Sequence, residues 1–415
     1  MLVPLTTCQA GFRCGVASKR RFVSTTIAQF PKKLKVVVRP FSLTNFPHAA
    51  PLEFFLKTGI MNVMKRGPKI EAVDLFCGIG GLTKGLQNAG IRVVAGVDND
   101  ERCQFGYEAS NGATFIGRPI EKVSAKEISD LYSKNAIRVL AGCAPCQSYS
   151  GLNRNGRTED DNVPIRRFAY LINKIKPEIV TMENVRGLRD TEHYPVFTYF
   201  LGVLKRNKYK VSYQIVNAAD YGVPQERKRL VLVASRMGKK DIKLIDPTHK
   251  NNHVSVRKAI GRLKPIKDGE TATYDTLHHT RKLSPLNKKR IVATPKDGGN
   301  ARSWDKALLL DCYKKESGKT YMNTVYGRMS WSKPAPTMTT QCIGLGNGRF
   351  GHPEQNRAIS LREAAIFQTF PRNYIFADPD EKMLSGDLAR FIGNAVPVRL
   401  GEVIGESIVR HVRAS

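Results

Sequence analysis

Apolar residues along this chain fall into short runs separated by turns rich in glycine, proline and asparagine. Ile70-Glu71-Ala72-Val73-Asp74-Leu75-Phe76 reads as a β-strand, and Cys77-Gly78-Ile79-Gly80-Gly81 as the turn after it. Leu82 to Ala89 reads as a helix, with Gly90 as its C-terminal cap. Ile91 to Asp98 is the next strand, and Val139-Leu140-Ala141, Ile179-Val180-Thr181-Met182 and Leu230 to Ala234 are further strand runs. Strands that alternate with helical segments predict an α/β fold, a doubly wound and mostly parallel sheet with helices on both faces. The pattern breaks after Ala234. Residues 236–333 have few long apolar runs and several Gly or Pro breaks, which predicts a smaller irregular domain. No internal repeat is visible.

Composition adds a partner to this picture. The chain has 415 residues, 41% hydrophobic and 25% charged, as expected of a soluble protein of two or three domains. No run approaches the roughly 18 apolar residues that a membrane helix needs. The net charge of +31 favours a polyanion, because each Lys or Arg that neutralises a phosphate releases counterions. Residues 236–333 hold 23 Lys or Arg against 9 Asp or Glu. The eight cysteines are sparse and irregular, which fits a reducing compartment better than a disulfide framework. Residues 1–52 carry eight Lys or Arg, no Asp or Glu, and Ser18, Ser24, Thr25 and Thr26. That composition suits an organellar transit peptide. The reading preferred here is translation from Met61 or Met64, or a disordered basic arm.

Several clusters carry candidate chemistry. Gly78, Gly80 and Gly81 form a loop between a strand and a helix N-terminus, where backbone approaches a ligand closely and negative charge is favoured. Asp98 ends the next strand, where an acid bonds ribose hydroxyls. This logic alone admits NAD, FAD or S-adenosylmethionine, although the G-x-G-G spacing departs from the dinucleotide pattern. Cys143-Ala144-Pro145-Cys146 raises redox or zinc chemistry. A zinc site needs a second ligand pair, none stands at matching spacing, and no metal is expected. Glu183 follows a buried strand, where desolvation raises a carboxyl's pKa toward acid–base use. Gln225, Arg227 and Arg229 alternate ahead of a strand, so two guanidinium groups face one site.

Taken in order, the Gly-loop block, Gly142-Cys143-Ala144-Pro145-Cys146-Gln147-Ser148-Tyr149-Ser150, Glu183-Asn184-Val185, Gln225 to Arg229 and Gly393-Asn394-Ala395-Val396-Pro397 resemble the DNA cytosine-5 methyltransferase family, bacterial modification-methylase type. Arg328 to Thr340 is similar to the family's penultimate motif. The resemblance spans residues 69–413. It implies the S-adenosylmethionine-dependent methyltransferase fold with a basic target-recognition domain. The expected division is an N-terminal extension (1–64), a catalytic and cofactor-binding domain (65–235), a target-recognition domain (236–333) and a return to the catalytic domain (334–415). Cys146 would be the nucleophile and Glu183 the acid at ring nitrogen 3. Arg229 would lie near the cytosine carbonyl, with Arg227 in support. Phe76, Gly78, Gly80, Gly81, Asp98, Ile120, Pro145, Asn394 and Val396 would hold S-adenosylmethionine, and Gln147, Ser150, Asn184 and Gln225 would meet substrate. Cys143 stands where the family usually has a small residue, and packing is its expected role. Gly117-Arg118-Pro119-Ile120-Glu121 replaces the family's Asp-Ile, which removes the usual acidic contact to adenine unless Glu121 substitutes.

The implied activity is methylation of carbon 5 of a cytosine in a specific duplex DNA sequence, by base flipping and a covalent cysteine adduct. Residues 151–162 would form a mobile loop that closes over the DNA. The expected setting is a restriction-modification system, with a cognate restriction endonuclease acting separately, and a monomer in bacterial cytoplasm at the nucleoid. The alternatives are a tRNA cytosine-5 methyltransferase, a catalytically inactive DNA-binding protein, and a flavin or NAD oxidoreductase.

Overall fold

The first strand, β1 (Ile70–Leu75), is buried over all but its first residue, as a strand covered on both faces must be. The structure is a computed structural model that describes residues 68–145, 162–189, 195–238, 240–314, 320–381 and 383–415. The basic N-terminal segment and residues 146–161 lie outside the described residues. Six more strands complete the sheet: β2 (Arg92–Asp98), β3 (Thr114–Gly117), β4 (Ile137–Gly142), β5 (Ile179–Val185), β6 (Lys210–Asn217) and β7 (Lys228–Ser235). Their order is β3-β2-β1-β4-β5-β7-β6. All neighbours from β3 to β5 pair parallel, and β7 runs antiparallel to both β5 and β6.

Helices cover both faces, and side-chain alternation along the strands sorts the core into two layers. Ala72, Val139, Ala141, Val231 and Val233 face one way. They pack with α1 (Gly81–Asn88) and the C-terminal α10 (Val398–Arg413). Val73, Leu75, Leu140, Val180, Met182 and Leu232 face the other. They pack under α3 (Ala125–Asp130), α4 (Val163–Ile175) and α5 (Pro195–Arg206), where Phe168 meets Phe200 edge-on at 5.3 Å. Between α1 and β3 the chain passes through α2 (Gln104–Asn111). The close approach of α10 to α1 needs Gly85, where an added Cβ would stand 2.4 Å from the Val398 carbonyl oxygen.

Several boundaries differ from the sequence expectation, and three of them bear on the site. β1 stops at Leu75, because Phe76 turns into the left-handed region at φ 60°. α1 runs Gly81–Asn88, one residue earlier at each end, and Gly90 at φ 89° closes it. β5 continues through Glu183 to Val185, because β7 pairs along its whole length.

Beyond β7 the backbone is irregular. It holds α6 (Val256–Ile260), a short hairpin of β8 (Thr271–Ala272) and β9 (Asp275–His279), and α7 (Pro285–Ala293). It returns through α8 (Leu361–Phe367) and α9 (Ser385–Asn394). Irregular backbone leaves carbonyls without ladder partners. Arg328, 1% exposed, collects them: its guanidinium donates to the carbonyls of Ile291, Thr294, His352 and Gln355 and to Asn356 Oδ1. Burial pushes this guanidinium down to about 10. Nearby, Arg357 donates to both oxygens of Glu363 at 2.8 Å, and Glu363 also closes a capping box with Ser360 at the start of α8.

The Arg357–Glu363 pair makes a pH prediction. Burial alone would raise the Glu363 carboxyl, but the adjacent guanidinium outweighs it and holds the group at about 2, below its ordinary 4.5. A depressed carboxylate contributes stability that is complete above the ordinary value and lost as pH falls through the folded one. Thermal denaturation should therefore show Glu363→Gln less stable than the parent near neutrality. The gap should narrow between about pH 4.5 and about 2. A gap that stays constant across that window would mean the pair is not ionised as described.

Candidate active site

Strand order reverses between β1 and β4, since the chain builds outward from β1 through β2 and β3 and then restarts at β4. The crevice beyond the carboxyl ends of such strands is where open α/β sheets bind ligands. The register aligns Leu75 with Gly142 and Gly142 with Met182. Phe76 and Cys143 consequently leave the sheet level with Glu183, which stays paired in β5.

On the β1 side the glycine loop is drawn tight. Gly78 N–H donates to Asp98 Oδ2 at 2.8 Å, and the other Asp98 oxygen accepts from Asp100 N–H at 3.0 Å. Burial raises the Asp98 carboxyl above its ordinary value. Phe76 is half-buried in its left-handed conformation, a strained backbone of the kind concentrated at ligand sites. A Cβ on Gly81 would stand 2.2 Å from the Val396 carbonyl oxygen, so Gly81 lets the remote 393–397 segment close on the loop. Gly80, at φ 90°, is hemmed in by Asn111, Tyr374 and Tyr107. Gly78 differs: a Cβ there would meet nothing within 4 Å, so the loop is open on that side. Val396 and Ile120 are buried, and Asn394 and Pro145 are exposed. Arg118 pairs with Glu127, and Glu121 is exposed.

Asp74, on β1, was not singled out from the sequence. It is fully buried and accepts from Thr83 Oγ1 at 2.7 Å, while its Oδ1 has no hydrogen-bond partner. Burial pushes its carboxyl up to about 7, with Asp98 adding to the shift.

On the β5 side, Glu183 is 3% exposed. Its Oε2 accepts from Cys143 Sγ at 2.9 Å. Its Oε1 lies 3.3 Å from Arg229 Nε, an ion pair without hydrogen-bond alignment, so Oε1 makes no hydrogen bond. The antiparallel register explains this neighbour, since Val185 pairs with Arg229. Asn184 is buried, and its amide donates to the Ala144 carbonyl at 3.3 Å, which ties β5 to the chain leaving β4. Cys146, Gln147, Ser150 and residues 151–161 lie outside the described residues.

Arg227 and Gln225 point deeper. Arg227, 3% exposed, donates to the carbonyls of Met338 (2.9 Å), Gly393 (3.3 Å) and Ala395 (3.3 Å). Burial pushes its guanidinium down to about 9, with Arg229 adding to the shift. Gln225 donates to the Phe367 carbonyl and Gln368 Oε1, and accepts from Met338 N–H. Gln368 donates in turn to Ile392 and Ala395 carbonyls. Arg229 thus reaches Glu183, whereas Arg227 and Gln225 brace the backbone around the 393–397 segment. Sequence reasoning missed Gln368 and the Cys143–Glu183 contact. No motif marks Gln368, and the contact depends on strand register.

Residues 70–410 match the family described as C-5 cytosine-specific DNA methylase. The chain is 47% identical over 339 residues to the Type II methylase M.HgiDII of Herpetosiphon aurantiacus, covering 81% of this chain and 94% of that one. It is 29% identical over 352 residues to the Type II methyltransferase M.PspPI of a Psychrobacter strain, covering 83% and 80%. Among solved structures, a putative prophage-encoded DNA modification methyltransferase from E. coli superposes with a TM-score of 0.61 at 19% identity, over 83% of this chain and 99% of that one. Entamoeba histolytica methyltransferase EhMeth gives 0.56 at 14%, over 83% and 99%. At those identities the structures speak for the fold.

A buried guanidinium held by carbonyls needs its planar fork, which lysine lacks. Arg227→Lys should lower unfolding free energy by about 3 kcal/mol, because carbonyls and a charge are left unpaired in the interior. Urea denaturation measures this, and a loss under about 0.5 kcal/mol, ordinary for a surface change, would contradict the bracing role.

Proposed function

The chain belongs to the C-5 cytosine-specific DNA methylase family and is a DNA cytosine-5-methyltransferase. From that premise we propose that it transfers a methyl group from S-adenosylmethionine to carbon 5 of a cytosine flipped out of a specific duplex DNA sequence, through a covalent adduct with Cys146. The observation that carries this reading is Glu183. It is a buried carboxyl at the carboxyl edge of the sheet, with one oxygen free of hydrogen bonds and an arginine beside it.

The residues around the glycine loop fit S-adenosylmethionine. The loop is open above Gly78, the Asp98 carboxylate is fixed by two backbone N–H groups, and the α1 N-terminus carries no side-chain cap. Phe76, Gly78, Gly80, Gly81, Asp98, Ile120, Pro145, Asn394 and Val396 would hold it. When bound, it supplies an electrophilic methyl group on a sulfonium.

The protein's own groups prepare the base. Carbon 5 of cytosine is too electron-poor to attack an electrophile unaided. The Cys146 thiolate adds to carbon 6, and the displaced electron pair makes carbon 5 nucleophilic. Glu183 provides the proton or hydrogen bond at nitrogen 3 that this addition requires. Arg229 faces the base carbonyl, while Gln147, Ser150 and Asn184 shape the pocket. Arg227 and Gln225 act through the backbone they brace. After carbon 5 is methylated, its proton leaves and the thiolate is expelled, which restores the aromatic ring and the enzyme. Exposed Lys258, Arg262, Lys264, Lys267, Arg281 and Lys282 suit residues 236–333 to the DNA phosphates, and side chains there would read base edges. The proposed setting is the modification half of a restriction-modification system, with the endonuclease acting separately. The protein would act as a monomer at the bacterial nucleoid. No helix among the described residues is long and apolar enough to cross a membrane.

The test is transfer of labelled methyl from S-adenosylmethionine to mixed-sequence duplex DNA, beside tRNA. The parent protein should label DNA cytosine, and Cys146→Ala should abolish labelling. Glu183→Gln should slow it by roughly 10²- to 10⁴-fold, the usual worth of general acid catalysis. Label confined to tRNA, or DNA labelling that survives Cys146→Ala, would overturn the reading.

A further inference from the structure

We propose that Cys143 is a positioning residue for methyl transfer, because its thiol hydrogen-bonds Glu183 Oε2 and so fixes the plane of the acid's carboxyl. The proposal rests on the reading of Glu183 as the acid at the base. It gives a task to a residue for which the sequence suggested only packing.

The sheet, rather than a loop, sets where this thiol lies. Cys143 follows β4 directly, and its N–H donates to the Leu75 carbonyl at 3.2 Å, which extends the β1–β4 ladder by one residue. β4 pairs in turn with β5, with Gly142 opposite Met182. Sγ and the Glu183 carboxyl are thereby brought together by two adjacent strand registers, and they meet at 2.9 Å. Cys143 is half-buried and Glu183 is almost wholly buried, so water competes little for this bond.

The two carboxyl oxygens are consequently unequal. Oε2 accepts the S–H. Oε1 is buried, makes no hydrogen bond, and lies 3.3 Å from Arg229 Nε. The thiol on Oε2 and the guanidinium beside Oε1 hold the carboxyl plane against rotation from both ends. Without the thiol one of the two anchors is lost and the carboxyl turns more freely. Serine keeps a donor at this position and alanine removes it.

The experiment compares single-turnover methyl transfer and steady-state kinetics for the parent, Cys143→Ala, Cys143→Ser, Glu183→Gln and the double variant Cys143→Ala/Glu183→Gln, with thermal denaturation of each. Cys143→Ala should lower kcat by roughly three- to tenfold, the worth of a hydrogen bond between neutral groups, with KM for DNA unchanged. Cys143→Ser should recover most of that loss. In the Glu183→Gln background, Cys143→Ala should cost little more, because both changes act through one carboxyl. Additive losses, or a Cys143→Ala variant with unchanged kcat, would overturn the proposal. So would a fall in melting temperature with no loss of kcat. Loss of DNA methylation in the parent protein itself would instead defeat the functional reading, so the two failures are distinct.

Discussion

The antiparallel insertion of β7 beside β5 is the constraint on which the rest of this site depends. It sets Arg229 opposite Val185 and therefore within ion-pair distance of Glu183. The same strand's approach carries Arg227 inward, where its guanidinium gathers the carbonyls of Met338, Gly393 and Ala395. One register thus couples Glu183 at the sheet edge to a segment far away in sequence. That segment closes on the glycine loop at Gly81, where no side chain would fit. The Glu183 side and the glycine-loop side of the crevice are held in place by the same strand.

Much of this architecture is held by buried cations that lack a carboxylate partner. Arg227 and Arg328 are both almost fully buried, and both bond mainly to backbone carbonyls. Burial lowers their pKa values to about 9 and about 10, which still leaves both charged at neutral pH. In regular strands and helices, carbonyls find N–H groups along the ladder. In the irregular backbone beyond β7 they do not, and a guanidinium with five donors takes the ladder's place. An irregular region can in this way be rigid without a large apolar core. Its own clusters are small, one around Trp304 and Tyr313 and another around Ile291 and Leu345.

The sheet was legible in the sequence because its strands are short apolar runs bounded by glycine turns. The glycine loop was legible because its spacing is local. The errors at element ends have local causes too: Phe76 leaves the strand for the left-handed region, and β5 outlasts its apolar run because β7 pairs with it. Alternation placed Arg227 and Arg229 at one site, whereas Arg229 lies beside Glu183 and Arg227 turns to the carbonyls of Met338, Gly393 and Ala395. Gln225 was expected at substrate, and its amide is instead engaged with Gln368, Phe367 and Met338, partners more than 100 positions away in sequence. Cys143 looked like filler, since its contact with Glu183 depends on two strand registers that no motif encodes.

The account's central claim is a covalent step at Cys146, and trapping that adduct tests it most directly. A duplex of mixed sequence containing 5-fluorodeoxycytidine is incubated with the protein and S-adenosylmethionine. Fluorine cannot leave carbon 5 as the proton does, so elimination stops and the carbon 6–sulfur bond persists. The account predicts a complex stable to denaturing electrophoresis, with the DNA carried on the peptide that contains Cys146 and no complex for Cys146→Ala. An adduct mapped to Cys143, or methyl transfer without any trapped complex, would contradict it.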